Sequence, residues 1–249
     1  MDMSRSHCSP CEHNDDDMKD DQNDTDRLTT LSKEKGWRTE HLYLYKSVWL
    51  TPEAIKGVKR AERCFKAQPT DIFLVTFPKS GTWFKALIFS LINRDQFDFS
   101  FHPLLSEATH IPYSLLSAFV MSSASKFLYV FRNTKDVLVS NWHFAKKFRP
   151  KELPSFSMED AFDLFCKGVI HYGPFWDHVL GYWKASLDKP FCLERRGCAG
   201  SNRHFLSKGQ VGDWINHLTQ EMAEQLDEIT MQKFGGTTLI ETLFVDAVP

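Results

Sequence analysis

Short apolar runs, each ending at a polar turn and followed by an amphipathic stretch, occur twice along the chain. In the first, the β-branched run from Ile72 to Phe77 predicts a buried strand. Pro78 to Thr82 then predicts a turn, and Trp83 to about Arg94 an amphipathic helix. The second repeats the order: Lys126 to Phe131 reads as a strand, Arg132 to Asp136 as a loop, and Val137 to Lys147 as a helix. Further on, Ser157-Met-Glu-Asp160 resembles a capping box opening a helix. Gly173-Pro174 breaks that helix before a second, Trp-rich one, and Thr219 to Ile229 reads as a capped amphipathic helix. The Met, Phe and Trp residues of these helices read as core, with an acceptor pocket as the alternative for some of them. Between the helices, Phe191 to Arg203 is polar and glycine-bearing and shows no strand pattern. These units predict an α/β fold with a central parallel sheet.

The loop chemistry is more specific than the pattern. A strand feeding Lys79-Ser80-Gly81-Thr82 and then a helix aims backbone N–H groups, a cation and two hydroxyls at one point. That geometry suits phosphate or sulfate, because a helix start offers unpaired N–H groups and a positive dipole end. A nucleotide triphosphatase loop is disfavoured: it places Lys-Ser/Thr after its last glycine, whereas Lys79 precedes the loop's only glycine, Gly81, and no glycine lies upstream in the loop. In the second unit, Arg132 at a strand's carboxyl end and Ser140 one turn into the helix can hold a second phosphate. A structural ion pair between Arg132 and Asp136 is the competing reading. Late in the chain, Ser207-Lys208-Gly209 and Gly212-Asp-Trp214 put a cation beside glycines.

Together and in order, these segments resemble the cytosolic sulfotransferase family, in particular its plant flavonol and steroid branch. Lys33 to Arg38, Leu42 to Tyr45 and Gly173 to Lys184 are similar to further family landmarks, and the likeness covers most of residues 28–234. The resemblance implies a P-loop-like central parallel sheet flanked by helices. It also implies transfer of a sulfuryl group from 3′-phosphoadenosine 5′-phosphosulfate (PAPS) to a hydroxyl of a small phenolic, flavonoid or steroid-like acceptor, with no metal. Lys79, Ser80, Gly81, Thr82 and Trp83 match the 5′-phosphate loop, with Trp83 facing the adenine. Arg132, Ser140, Ser207, Lys208 and Gly209 match the 3′-phosphate positions. His110, in Thr109-His110-Ile-Pro-Tyr113, matches the catalytic base, a role that suits a side chain titrating near neutral pH. Lys79 is the second catalytic residue, neutralising charge that grows on the leaving phosphate oxygen.

Departures from the family pattern shape the expectations. One threonine rather than two precedes Trp83, and losing a residue there turns the following helix by ~100° unless the loop is re-formed. Only Ser106-Glu-Ala108 separate His102-Pro-Leu-Leu105 from Thr109, where the family has a few tens of residues. Near 191–205 a parallel strand ending in Tyr-Glu is expected to be missing. Ser207 stands in place of an arginine, and Ile215 in place of a lysine of the family's dimer motif. The alternative to an active transferase is therefore a non-catalytic, internally deleted remnant with weak or no nucleotide binding.

Composition adds limits. With 249 residues and 42% hydrophobic content, one domain is expected, at 28–249. The net charge of −2 conceals an acidic start: residues 1–26 carry nine acids and two bases, leaving the remainder at 28 − 23 = +5. A mildly basic body suits an anionic cofactor. Residues 1–27 read as a solvated, disordered extension. Within it, His7-Cys-Ser-Pro-Cys-Glu-His13 has Cys-x-x-Cys spacing, yet no second Cys pair follows at zinc-finger distance. No signal peptide and no apolar run near ~18 residues are visible, so a cytoplasmic protein without membrane or nucleic-acid partners is expected.

Overall fold

The structure, a computed structural model, describes residues 28–65, 72–80, 126–188, 192–195 and 212–240. The acidic extension, the helix expected from Trp83 and the shortened segment at 106–108 lie outside the described residues.

The chain first builds a small antiparallel sheet from β1 (Lys33–Lys35), β2 (His41–Tyr45) and β3 (Val48–Leu50). Strands β2 and β3 turn through Lys46 and Ser47, at φ 47° and 64°. Two left-handed residues in a two-residue hairpin match the twist of the flanking strands. Helix α1 (Pro52–Cys64) follows, capped by Thr51, whose hydroxyl accepts from the Ala54 amide, with proline at its first turn. Its Ile55 and Val58 pack on Val48 and Leu50 as a satellite core.

The main sheet is parallel, in the order β4 (Ile72–Thr76), β5 (Lys126–Phe131), β6 (Cys192–Arg195). Strand β6 corrects the expectation that 191–203 holds no strand. Its four residues pair with Leu128 to Phe131 of β5, and that ladder supplies the backbone partners which the local sequence does not advertise. The parallel sheet itself is as expected.

Helices α2 (Thr134–Phe148), α3 (Met158–Cys166) and α4 (Phe175–Asp188) follow, with β6 next in the chain. A 3-10 helix (Asp213–Asn216) then precedes α5 (Gln220–Phe234). Helix α2 begins three residues earlier than its apolar pattern indicated, because the Asn133 side chain accepts from the Lys135 amide and caps it there. The capping box at Ser157 and Asp160 is formed in both directions. Thr219 caps α5 as the sequence suggested.

Phe162, Phe165, Phe175 and Trp176 from α3 and α4 join Trp37, Tyr129, Phe131 and Phe234 in one core, in line with their reading as core. Among the described residues both fully buried indole N–H groups are satisfied: Trp37 donates to the Val169 carbonyl (2.7 Å) and Trp176 to the Thr230 hydroxyl (3.0 Å). This core holds β5 against α2 and α4, and so fixes where the two strand-end loops emerge.

Candidate functional site

Thr76 pairs with Val130 across β4 and β5, so the loops after both strands leave the sheet at one edge. The carboxyl edge of a parallel sheet is where open α/β folds place ligands. Phe77, the first residue after β4, is buried, and the Ser80 amide closes a tight turn by donating to its carbonyl (3.0 Å). Inside that turn Lys79 adopts φ 68°, a conformation uncommon for any residue but glycine. Asn141 of α2 ties the two loops together, its amide donating to the Pro78 carbonyl (3.3 Å) and to the Val137 carbonyl of its own helix (2.9 Å).

Among the described residues, cations gather around Lys79. Its Nζ lies 4.6 Å from the centre of the Phe144 ring, and the Arg38 guanidinium carbon 4.8 Å from the same ring. Burial, then the neighbouring cations Arg132, Lys147 and Arg38, hold the Lys79 ammonium below the usual lysine range. Such a setting favours an incoming anion over solvent, since the anion offsets both the desolvation and the repulsion. Beside Lys79 is a cavity of about 40 Å³ bordered by Arg38, Asn141, Phe144, His171 and Tyr172. His171 is buried there, and burial together with Arg38 pushes its pKa down to about 3.

Ser80 and Ser140 are buried, and neither hydroxyl has a hydrogen-bond partner among the described residues. Buried hydroxyls normally find partners, so both are able to bond to a group brought to the strand-end loops.

Arg132 forms the ion pair that competed with the phosphate reading: its Nη2 is 3.5 Å from Asp136 Oδ2. Asp136 also accepts the Gly212 amide, at 3.1 Å and 3.3 Å from its two oxygens. Burial nevertheless raises the Asp136 carboxyl above its usual range, against the pull of Arg132 and of the Gly212 and Trp214 amides. Gly212 sits at φ 92°, where a side chain would be strained. Lys135 secures the same region, donating to both Asp227 oxygens (2.7 Å and 2.8 Å) with its ammonium 4.3 Å from the Trp214 ring centre.

Lys79, Ser80, Arg132 and Ser140 thus stand on two adjoining loops and the helix after the second. Gly81, Thr82, Trp83, His110, Ser207, Lys208 and Gly209 lie outside the described residues. Sequence reasoning missed Arg38, Asn141, Phe144 and Lys147. Three of these are on α2 downstream of Ser140 at helical spacing, a signal available in the sequence. Arg38 reaches the site only through the tertiary fold.

The fold and the loops define an α/β protein that gathers cations at its parallel strand ends. A family model described as Sulfotransferase domain matches residues 100–196 and 192–238. Cytosolic sulfotransferase 17 of Arabidopsis thaliana is 30% identical over 308 aligned positions, covering 86% of this chain and 89% of that protein. Flavonol 4′-sulfotransferase of Flaveria chlorifolia is 30% identical, covering 85% and 93%. The crystal structure of an Arabidopsis thaliana protein described as a candidate steroid sulphotransferase superposes with TM-score 0.62 at 30% identity, covering 90% of this chain and 96% of that one. A mouse sulfotransferase complexed with PAP shares the fold, at TM-score 0.65 and 23% identity, covering 83% and 98%. The chain belongs to the sulfotransferase family and is an enzyme of that class. The alignment spans 308 positions but only 86% of the 249 residues, about 214, so about 308 − 214 = 94 positions stand as gaps opposite this chain. Among the described residues no helix is long and apolar enough to cross a membrane.

Proposed function

We propose that this chain transfers the sulfuryl group of PAPS to a hydroxyl of a small phenolic, flavonoid or steroid-like acceptor in the cytoplasm. The observation carrying this reading is the pair of buried, open hydroxyls of Ser80 and Ser140 beside a half-buried Lys79 among cations. A nucleotide with phosphates at both 5′ and 3′ positions supplies acceptor oxygens to both hydroxyls and negative charge to the cations. In the relatives, flavonol and steroid names and the PAP complex point the same way.

In this reading the acceptor oxygen attacks sulfur, the bond from sulfur to the 5′-phosphate oxygen breaks, and the electron pair stays on that phosphate. Lys79 neutralises the charge developing there, and Ser80 with the following amides holds the 5′-phosphate. Arg132 and Ser140, with Ser207, Lys208 and Gly209, hold the 3′-phosphate. His110 takes the proton of the acceptor hydroxyl. The chain's part is chiefly positioning and charge stabilisation.

A ligand that binds only the folded chain raises its thermal midpoint. Adenosine 3′,5′-bisphosphate is expected to do so, and ATP with Mg²⁺ is not. Absence of any shift with the bisphosphate sinks the proposal. Binding without sulfation across a panel of phenols and flavonoids points instead to a non-catalytic remnant, the second reading that the gap positions opposite this chain support.

A further inference from the structure

Away from the strand-end loops, two histidines and an aspartate converge where α2 meets the 3-10 helix. His143 stands on α2; Asp213 opens the 3-10 helix and His217 directly follows it. The Nε2 atoms of His143 and His217 are 3.2 Å apart, and His217 Nε2 is 3.6 Å from Asp213 Oδ2. One ligand atom from each of the three lies within 4.8 Å of the others.

A tetrahedral ion with metal–nitrogen bonds of about 2.0–2.1 Å spaces its ligands about 3.3 Å apart. The two imidazole nitrogens already have that spacing, and a small side-chain movement brings in the carboxylate. Asn216 donates to Asp213 Oδ1 (3.2 Å), which orients the carboxylate as an outer-shell partner does and leaves Oδ2 toward His217. Asp213 is buried while both histidines are partly exposed, so an ion has a way in. A hydrogen bond between the two imidazoles and an ion pair of His217 with Asp213 are the metal-free reading of these contacts; a single ion accounts for all three ligand atoms turning to one point.

We propose that His143, Asp213 and His217 bind one divalent transition-metal ion of the zinc class, with water in an open fourth position. Two imidazoles and one carboxylate suit zinc and its neighbours, whereas magnesium and calcium favour all-oxygen shells. Ser140 lies one turn before His143 on α2, and Gly212 immediately precedes Asp213. The ion therefore fastens α2 to the segment that Asp136 anchors. It is assigned no part in the proposed sulfuryl transfer.

The test uses the full chain carrying Cys8→Ser and Cys11→Ser, so that the His7–His13 segment offers no thiolate. The chelator-stripped protein is titrated with Co(II), then Zn(II), with no nucleotide present, so the result is independent of the transfer reaction. Expected are one Co(II) per chain with visible bands of a nitrogen–oxygen site, displacement by one equivalent of Zn(II), and a higher thermal midpoint with Zn(II). His217→Asn and Asp213→Asn are each expected to weaken Co(II) binding at least tenfold while the metal-free far-ultraviolet spectrum stays that of the parent. X-ray absorption of the zinc-loaded parent, expected to show imidazole and oxygen scattering, decides the matter if a variant fails to fold. The proposal is overturned by a parent that binds no Co(II), by folded variants that bind as tightly as the parent, or by a zinc shell without imidazole.

Discussion

The backbone amide of Gly212 donates to the carboxylate of Asp136, 3.1 Å from Oδ2, and so joins the helix after β5 to a segment far along the chain. The same carboxylate faces Arg132 at 3.5 Å, making Asp136 the joint between two of the three stretches that resemble phosphate loops.

Asp136→Ala leaves the Gly212 amide without its acceptor and Arg132 without its ion pair. Unfolding free energy in urea is expected to fall by about 1–3 kcal/mol, the cost of a partly buried donor left unpaired. Calorimetry is expected to show adenosine bisphosphate binding weakened at least tenfold, roughly 1.4 kcal/mol. A stability loss with unchanged affinity would separate residues 212–214 from the nucleotide site.

Ser140→Ala should do the opposite to stability. The hydroxyl it removes is buried and has no partner among the described residues, so unfolding free energy should stay within about 0.5 kcal/mol of the parent or rise. Affinity for the bisphosphate should fall by about 1.5–3 kcal/mol, the value of a hydrogen bond to a charged group. Loss of stability without loss of affinity would mark Ser140 as structural.

Lys79→Met tests transition-state stabilisation. Turnover is expected to drop on the order of 10²–10³-fold, with bisphosphate affinity changed by less than about tenfold, because the charge facing Lys79 is largest during transfer. The variant should also be more stable at neutral pH, since it removes a half-buried cation crowded by Arg132, Lys147 and Arg38. Equal losses in turnover and binding would assign Lys79 to binding alone.

The pH dependence of folding should carry the mark of His171. Its folded pKa of about 3 lies below the unfolded value of about 6.5, so as pH falls through this window the unfolded chain takes the proton first. The stabilisation is fully present above about pH 6.5 and is lost toward pH 3, at up to about 1.4 kcal/mol per pH unit. Urea unfolding between about pH 7 and 4.5 should therefore be less pH-sensitive in His171→Gln by that slope. Identical slopes in parent and variant would mean that His171 is not held neutral in the folded chain.

How far the sequence reaches can be judged residue by residue. The runs Ile72 to Phe77 and Lys126 to Phe131 named two parallel strands, because an apolar β-branched run needs only its own composition to be recognised. Helix caps at Ser157 and Thr219 were legible for a similar reason: a cap is a bond between neighbours in sequence. The order Lys79-Ser80, then Arg132 and Ser140, was enough to name the family. Strand β6 was not legible, because Cys192 to Arg195 owe their conformation to the ladder offered by β5. Nor was the company of Lys79, since Arg38 reaches it from a hairpin more than forty positions away. The meeting of His143 with Asp213 and His217 also depends on two helices packing about seventy residues apart in sequence. Local composition and local bonds thus fixed the elements and the chemical kind of the loops. Which charges face one another, and what they leave unpaired, was decided by tertiary packing, because distance in space is set by the core and not by position along the chain.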